Sequence, residues 1–125
     1  MGLSFPRKEK LKSKKLIEQL FSEGKSVSNY PIKLIYIQTK KPLEVPFQTG
    51  VTVPKKNFKS AVKRNRIKRL MREGYRLNKD LVFNNSKGTF AFLFLYLGKE
   101  MPEYSQIEEN IKATLYKFKK NIQDE

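Results

Sequence analysis

Arginine is the residue type whose placement in this chain indicates chemistry. Five of the six arginines lie between Arg64 and Arg76, whereas the other basic residues are overwhelmingly lysines. The guanidinium group is a rigid planar fork that bonds two phosphate oxygens at once and stacks on nucleic-acid bases. This cluster therefore indicates the binding of a polyanion that carries phosphates.

The residue types that protein nucleases use for catalysis are missing or scattered. Without Cys or His, the chain cannot form ordinary zinc sites, thiolate nucleophiles or imidazole general bases. A protein nuclease normally clusters carboxylates around its metal ions. Here the acids of the basic region occur singly, at Glu9, Glu18, Glu23, Glu44, Glu73 and Asp80. We therefore predict no catalytic residues and no metal ligands in the protein. If cleavage of nucleic acid is its function, the catalytic groups are expected to come from a partner.

The chain is strongly basic, with 27 Lys and Arg against 12 Asp and Glu in 125 residues. Residues 1–99 carry 23 basic and 6 acidic side chains, whereas residues 100–125 carry 4 basic and 6 acidic. Such a one-sided excess is typical of proteins that bind nucleic acid, and less often of those that bind anionic membranes. The longest apolar run, Phe90 to Leu97, is far shorter than a membrane span, and the lack of Cys is compatible with a reducing compartment. We expect a soluble cytoplasmic protein with no membrane partner.

Length and periodicity predict a single domain over residues 1–125, an α+β two-layer sandwich with the order α-β-β-α-β-α. A basic arm over about residues 1–12 is expected to be mobile and to run into the first helix. Ser13 is the predicted N-cap of that helix, and Gly24 is predicted to end it in the left-handed conformation.

Three strands and a last helix follow from the pattern of apolar residues. The strands are predicted at residues 30–38, 47–53 and 90–97, and the first two are close enough in sequence to pair as an antiparallel hairpin. The last helix is predicted over 105–119, with Ser105 as its cap and Glu108 completing a capping box.

The helix predicted over residues 59–78 separates its apolar and basic residues. The apolar sector, expected to face the sheet, consists of Ile67, Leu70, Met71, Gly74 and Leu77. The opposite sector, with Glu73 only at its edge, consists of Arg64, Asn65, Arg66, Lys68, Arg69, Arg72 and Arg76. Like charges four residues apart destabilise a helix by about 0.2–0.5 kcal/mol per pair. An external anion therefore explains the pattern better than simple solvation of a charged helix does.

The segment from Ala61 to Glu73 closely resembles the Arg-Asn-Arg signature helix of the bacterial ribonuclease P protein component. The preceding strand, Gly50 to Lys56, and the early helix ending at Gly24 also follow that family's order. The resemblance implies a small basic α+β sandwich with a left-handed crossover between parallel strands. It also implies binding to a catalytic RNA that removes the 5′ leader of precursor tRNA with Mg²⁺ held mainly by the RNA.

The resemblance carries two sets of site residues onto this chain. The first set would contact the RNA subunit and is the basic sector of the 59–78 helix, Arg64 to Arg76. The second would line a cleft between the first helix and a sheet face that holds the single-stranded leader. Its candidates are Phe21, Ile17, Lys33, Ile35, Tyr36, Lys55 and Lys56. Aromatic rings can stack bases and lysines can hold phosphates without sequence preference.

Strand alternation leaves the cleft face undecided. Lys33 and Ile35 share one face of the strand while Tyr36 lies on the other, and both faces have apolar content. Tyr36 and Phe21 are equally good candidates for the core.

Three functions fit the basic helix to different degrees. The first is the protein subunit of ribonuclease P, which binds the catalytic RNA and precursor tRNA and assists endonucleolytic removal of the leader. The second is a structural RNA-binding protein of ribosomal type, which shares the charge but needs no substrate cleft. A duplex-DNA reader is disfavoured, because a helix-turn-helix needs a second helix a few residues away, whereas strands flank this helix.

Overall fold

A computed structural model describes residues 5–40, 42–83 and 88–123. A short 3₁₀ turn at Arg7–Glu9 comes before the first helix. The helices are α1 (Lys14–Glu23), α2 (Ala61–Asn78), α3 (Asp80–Phe83) and α4 (Tyr104–Gln123). The strands are β1 (Lys25–Asn29), β2 (Ile32–Gln38), β3 (Phe47–Thr52) and β4 (Phe90–Tyr96). The predicted α+β class is confirmed.

The four strands form one sheet in the order β1-β2-β4-β3. The predicted hairpin between β2 and β3 is wrong, because β4 lies between them, antiparallel to β2 and parallel to β3. β4 is apolar along its whole length and is buried at every position except Leu95, so it takes an interior place. The parallel pair that the resemblance implies is β3 and β4, joined through α2 and α3. No helix among the described residues is long and apolar enough to cross a membrane.

The sequence analysis missed β1, which pairs with β2 in an antiparallel hairpin. Its sequence, KSVSN, contains one apolar residue, Val27, and that residue is buried. An edge strand with a single inward side chain gives too short an alternation to be recognised.

One face of the sheet packs against α2 and α4 and holds most of the core. Phe47 of β3, Phe92 of β4 and Phe118 of α4 form its centre, with ring centroids 4.6–5.9 Å apart. Ser105 was predicted to cap α4, but the helix already begins at Tyr104. Glu108 instead accepts a hydrogen bond from Asn78 Nδ2 of α2 (3.1 Å), so it joins the two helices.

The opposite face of the sheet is covered in part by α1, whose Leu20 is buried against Ile35, Ala91 and Leu93. Ser13 caps the helix as predicted, since its Oγ accepts a hydrogen bond from the Leu16 amide (3.2 Å). The left-handed conformation predicted for Gly24 is wrong, because its φ is −68°. Glycine is required there for space: a Cβ would lie 2.4 Å from the Leu20 carbonyl oxygen and 2.7 Å from Ile35 Cγ2.

The buried side of α2 differs from the predicted sector at several positions: Leu70 is only half-buried, and Asn78 is buried although it was not in the sector. Leu77 was expected to face the sheet, but it is exposed, and Tyr75 is buried instead. The Tyr75 ring packs between Phe5 and Phe94, with centroid distances of 5.6 and 5.7 Å. The amphipathic pattern placed the centre of the sector correctly but left Tyr75 and Asn78 out of it.

The N-terminal arm lies against the domain from Phe5 onwards. The Leu11 amide donates to the Thr49 carbonyl (3.0 Å), so the arm runs beside the edge strand β3. Lys79 Nζ and Glu9 Oε1 form an ion pair at 2.7 Å, with both side chains buried. Residues 1–4 of the predicted arm lie outside the described residues.

Candidate nucleic-acid interface

The basic face of α2, defined as Arg64, Asn65, Arg66, Lys68, Arg69, Arg72 and Arg76, lies on one side of the helix as predicted. Asn65, Arg66, Arg69 and Arg72 are exposed, and the other three are half-buried. The buried side consists of Ile67, Met71, Gly74, Tyr75 and Asn78. The helix packs through that side and leaves most of its cations accessible to solvent.

Two arginines of the basic face have protein partners. Arg64 Nη1 donates to the carbonyls of Phe58 (2.7 Å) and Lys59 (2.9 Å), which ties the preceding loop to the start of α2. Arg76 Nε donates to Glu73 Oε2 (3.0 Å). The hydrogen bond from Arg76 lowers the pKa of Glu73, and Glu73 in turn raises the pKa of Arg76.

A shallow concavity runs along the exposed side of α2 and is lined by Val62, Asn65, Arg66 and Arg69. Val62 is 80% exposed and was not predicted as part of the site. An apolar side chain beside arginines can contact a sugar or base whose phosphates the guanidinium groups bind. The signal available in the sequence was the position of Val62, four residues before Arg66 and seven before Arg69.

The candidate cleft is the part of the sheet face beside α1 that the helix leaves only partly covered. Leu16 and Gln19 of α1 line a depression with Thr39 and Leu43, so this flank of the helix faces the loop after β2. Helical spacing puts Ile17 and Phe21 on the other flank, above the uncovered strands.

The floor of the cleft is a row of three residues in register, Lys33 of β2, Leu95 of β4 and Thr52 of β3. All three are half-buried, and Phe21 at the wall is 60% exposed. An open aromatic ring, an aliphatic floor and a lysine can stack bases and hold a backbone. Leu95 and Thr52 were missed, because only the strand register brings them beside Lys33.

The other predicted cleft residues have different places in the structure. Ile35 lies on the cleft face but is buried beneath α1. Tyr36 lies on the opposite face, which corrects its assignment to the cleft: its ring packs edge-on against Phe118 (4.8 Å), and its hydroxyl accepts from Asn121 (3.3 Å). Alternation forces this result, since Ile35 and Tyr36 are neighbours in a strand.

Lys55 and Lys56 are exposed in the loop that joins the cleft to α2. Lys56 lines a depression with Asn57, Leu97 and Lys99 at the end of the sheet. Asn57 Nδ2 donates to the Leu97 carbonyl (3.4 Å), which holds the loop against the end of β4. Lys99 was not predicted, because a single lysine in a loop gives no pattern.

The described residues contain no group of three acidic, His or Cys side chains that could hold a metal ion. Glu9 is paired with Lys79 and Glu73 with Arg76. The donor set of these residues therefore does not fit Mg²⁺, and the chemistry that the arrangement supports is binding of phosphates and bases.

Comparison with known proteins gives the family and the fold. A family model described as Ribonuclease P matches residues 5–119. The ribonuclease P protein component of Porphyromonas gingivalis is 34% identical over 124 residues, which cover 97% of this chain and 89% of the relative. The ribonuclease P protein component of Chlorobaculum tepidum is 34% identical over 128 residues, which cover 95% of this chain and 82% of the relative.

Solved structures share the fold at lower identity. The RNase P protein of Staphylococcus aureus superimposes with a TM-score of 0.72 at 22% identity, over 88% of this chain and 94% of that one. The RNase P protein of Thermotoga maritima superimposes with a TM-score of 0.70 at 23% identity, over 87% of this chain and 96% of that one.

Proposed function

The chain belongs to the ribonuclease P protein family, and from this premise we propose that it is the protein subunit of a nuclease ribonucleoprotein that matures the 5′ end of tRNA. The basic face of α2 binds the catalytic RNA subunit. The cleft binds the single-stranded 5′ leader of precursor tRNA.

The observation that carries this proposal is the continuity of the two surfaces. Lys55 and Lys56 lie in the loop that joins the cleft floor at Thr52 to the start of α2. A strand bound along the cleft would meet these lysines before it reached the basic face, so one RNA assembly can contact both surfaces without crossing an acidic region.

Hydrolysis in this assembly is assigned to the RNA. Bound Mg²⁺ would supply the activated nucleophile and the stabilisation of the leaving oxygen, and its ligands would come mainly from RNA. The protein neutralises phosphates with Arg66, Arg69 and Arg72 and orients the leader over Leu95. Both effects lower the Mg²⁺ concentration that the assembly needs. We place this ribonucleoprotein in the cytoplasm.

The alternative is a structural RNA-binding protein of ribosomal type. It would use the basic face of α2 equally well, because phosphate binding by arginines does not depend on a substrate. It would have no use for the cleft, in which Phe21 stays exposed although aromatic rings are usually buried. Preference for a leader therefore separates the two functions.

The test measures the affinity of tRNA with and without a 5′ leader for the complex of this protein with a bacterial ribonuclease P RNA. We expect the leader-bearing tRNA to bind more tightly. Phe21→Ala and Lys33→Ala should reduce that preference, by about fivefold or more for Phe21→Ala if its ring stacks a base. Lys112→Ala, on the exposed side of α4, is the matched control and should preserve the preference. Equal affinities for both tRNAs in the wild-type complex would favour the structural role.

A further inference from the structure

The N-terminal arm, which is hydrogen-bonded to the edge strand β3, forms one wall of a recess there. The recess is lined by Phe5, Lys10 and Lys12 of the arm, Gly50 and Val51 of β3, and Arg72 of α2. It lies outside the cleft floor, and apart from Arg72 none of its residues was assigned to a site above.

The charge of the recess comes from two parts of the chain that are distant in sequence. Lys10, Lys12 and Arg72 all border it, and no acidic side chain does. Lys12 and Arg72 are exposed and have no hydrogen bond or ion pair to other described residues, and Lys10 only lies over the Phe5 ring at 5.8 Å. Three cations around one concavity repel each other unless an anion lies between them.

The arm is held in place by contacts that do not face the recess. Glu9 directly precedes Lys10 in sequence, yet its carboxylate is buried on Lys79 just after α2. The Lys79 ammonium also lies 5.1 Å from the centre of the Phe83 ring. Burying an ion pair has a high desolvation cost, so the Glu9–Lys79 pair need not add stability. We interpret it as a contact that fixes the position of the arm.

We infer that this recess binds a backbone phosphate of the RNA subunit, with Lys10, Lys12 and Arg72 as its ligands and with Glu9 and Lys79 as positioning residues. This inference rests on the proposed function, because it assumes that the basic face of α2 contacts that RNA. Arg72 belongs to both surfaces, so the RNA path extends from α2 across the edge of the sheet. If the arm were free, its lysines would lose conformational freedom when they bound a phosphate. Because the ion pair already fixes the backbone of the arm, this entropic cost of binding is smaller.

The first test is the affinity of the full chain for a bacterial ribonuclease P RNA at several salt concentrations. The double variant Lys10→Ala/Lys12→Ala should bind about three- to tenfold more weakly and reduce the salt slope by about one at most. Its effect should be less than additive with that of Arg72→Ala, since the three groups share one phosphate. The matched control is Lys112→Ala/Lys120→Ala, which removes two exposed lysines of α4.

Unchanged affinity of Lys10→Ala/Lys12→Ala, with Arg69→Ala weakened, would overturn the recess and leave the proposed function intact. Unchanged affinity of Arg69→Ala as well would overturn the proposed function itself. To identify the source of the anion, the protein is titrated in the absence of the RNA subunit, once with inorganic phosphate and once with precursor tRNA. If the arm lysines contribute only to precursor-tRNA binding, the assignment to the RNA subunit is wrong.

The positioning role is tested by repeating the arm variant in a Glu9→Gln background, with folding checked by circular dichroism. We expect the double lysine variant to lose less affinity there, because an arm released from Lys79 no longer presents the lysines. An equal loss in both backgrounds would show that the ion pair does not position the arm. If Glu9→Gln does not fold, Glu9→Asp, which keeps the charge but shortens the reach, replaces it under the same criterion.

Discussion

The arginines of the basic face differ in their hydrogen-bond partners within the protein, so we expect their substitutions to have different effects on RNA binding and stability. Arg64 holds two loop carbonyls, whereas Arg69 has no partner among the described residues. We expect Arg69→Ala to weaken RNA binding and to lower the salt slope by about one without changing stability. Arg64→Ala should weaken binding and also lower the free energy of unfolding by about 1–3 kcal/mol, since it leaves carbonyls unsatisfied.

Binding titrations and urea unfolding of the two variants test this contrast. A destabilised Arg69→Ala, or an Arg64→Ala as stable as the wild type, would contradict the assignment of their partners.

Glu73 is the one acid at the margin of the basic face, and it occupies Arg76. Glu73→Gln removes a negative charge near the RNA and releases the guanidinium from its ion pair. We expect tighter RNA binding, by about three- to tenfold at low salt, and a steeper salt slope. Solvent screens this pair, so it contributes little to folding and stability should stay close to that of the wild type. Weaker RNA binding by this variant would place Glu73 in a contact with the RNA.

Burial raises the pKa of the Tyr75 phenol above its ordinary value of 10.0. Above that pH the unfolded chain releases the Tyr75 proton while the folded protein keeps it, so stability falls as pH rises. Tyr75→Phe should remove this contribution, up to about 1.4 kcal/mol per pH unit. Urea unfolding of both proteins between about pH 9 and pH 11 measures the difference. Parallel pH profiles would contradict the buried, protonated phenol.

At the residue scale, the helix site was predictable and the cleft only in part. A period of 3.6 residues fixes which side of α2 is apolar, so Arg66, Arg69 and Arg72 follow from the sequence. A strand with apolar residues on both faces does not show which face the helices cover, and Tyr36 was therefore misplaced. Leu95 could not be assigned to the cleft from the sequence, because its place beside Lys33 is set by the pairing register of the strands and not by any local pattern.

Among the elements, α1 determines how much of the sheet face stays open, and Gly24 determines where α1 ends. Gly24→Ala would bring a Cβ within 2.4 Å of the Leu20 carbonyl oxygen, which is backbone and cannot move alone. We expect a loss of about 1–3 kcal/mol in the free energy of unfolding and a weaker preference for the leader as α1 shifts. Gly50→Ala, where the nearest atoms lie at 3.4 Å, is the matched control for stability. Equal stability of the two variants would show that α1 adapts at Gly24.

Helix positions were largely predictable, whereas strand order was not. α1 and α2 have caps at Ser13 and Ser60 and clear amphipathic periods, which are local signals. The placement of β4 between β2 and β3 depends on long-range pairing, and the short helix α3 has too few residues for a period. Only the family resemblance pointed to the parallel pair.

For the whole molecule, the arginine-rich helix and the mixed-charge helix lie toward opposite edges of the sheet. The basic helix α2 and the arm contact the edge strand β3, while α4, which carries the mixed charge of residues 104–123, contacts β1 and β2. The arginine-rich part of the basic excess therefore lies toward the β3 edge of the sheet. Such a field steers a polyanion to one side of the protein and orients it there.

The most direct test of the central claim is cleavage of precursor tRNA at low Mg²⁺ by this protein alone, by a bacterial ribonuclease P RNA alone, and by the two together. We predict that only the mixture releases the 5′ leader, because the RNA supplies catalysis while the protein neutralises phosphates and holds the leader. A mixture no more active than the RNA alone would contradict this function and reduce α2 to a general RNA-binding face.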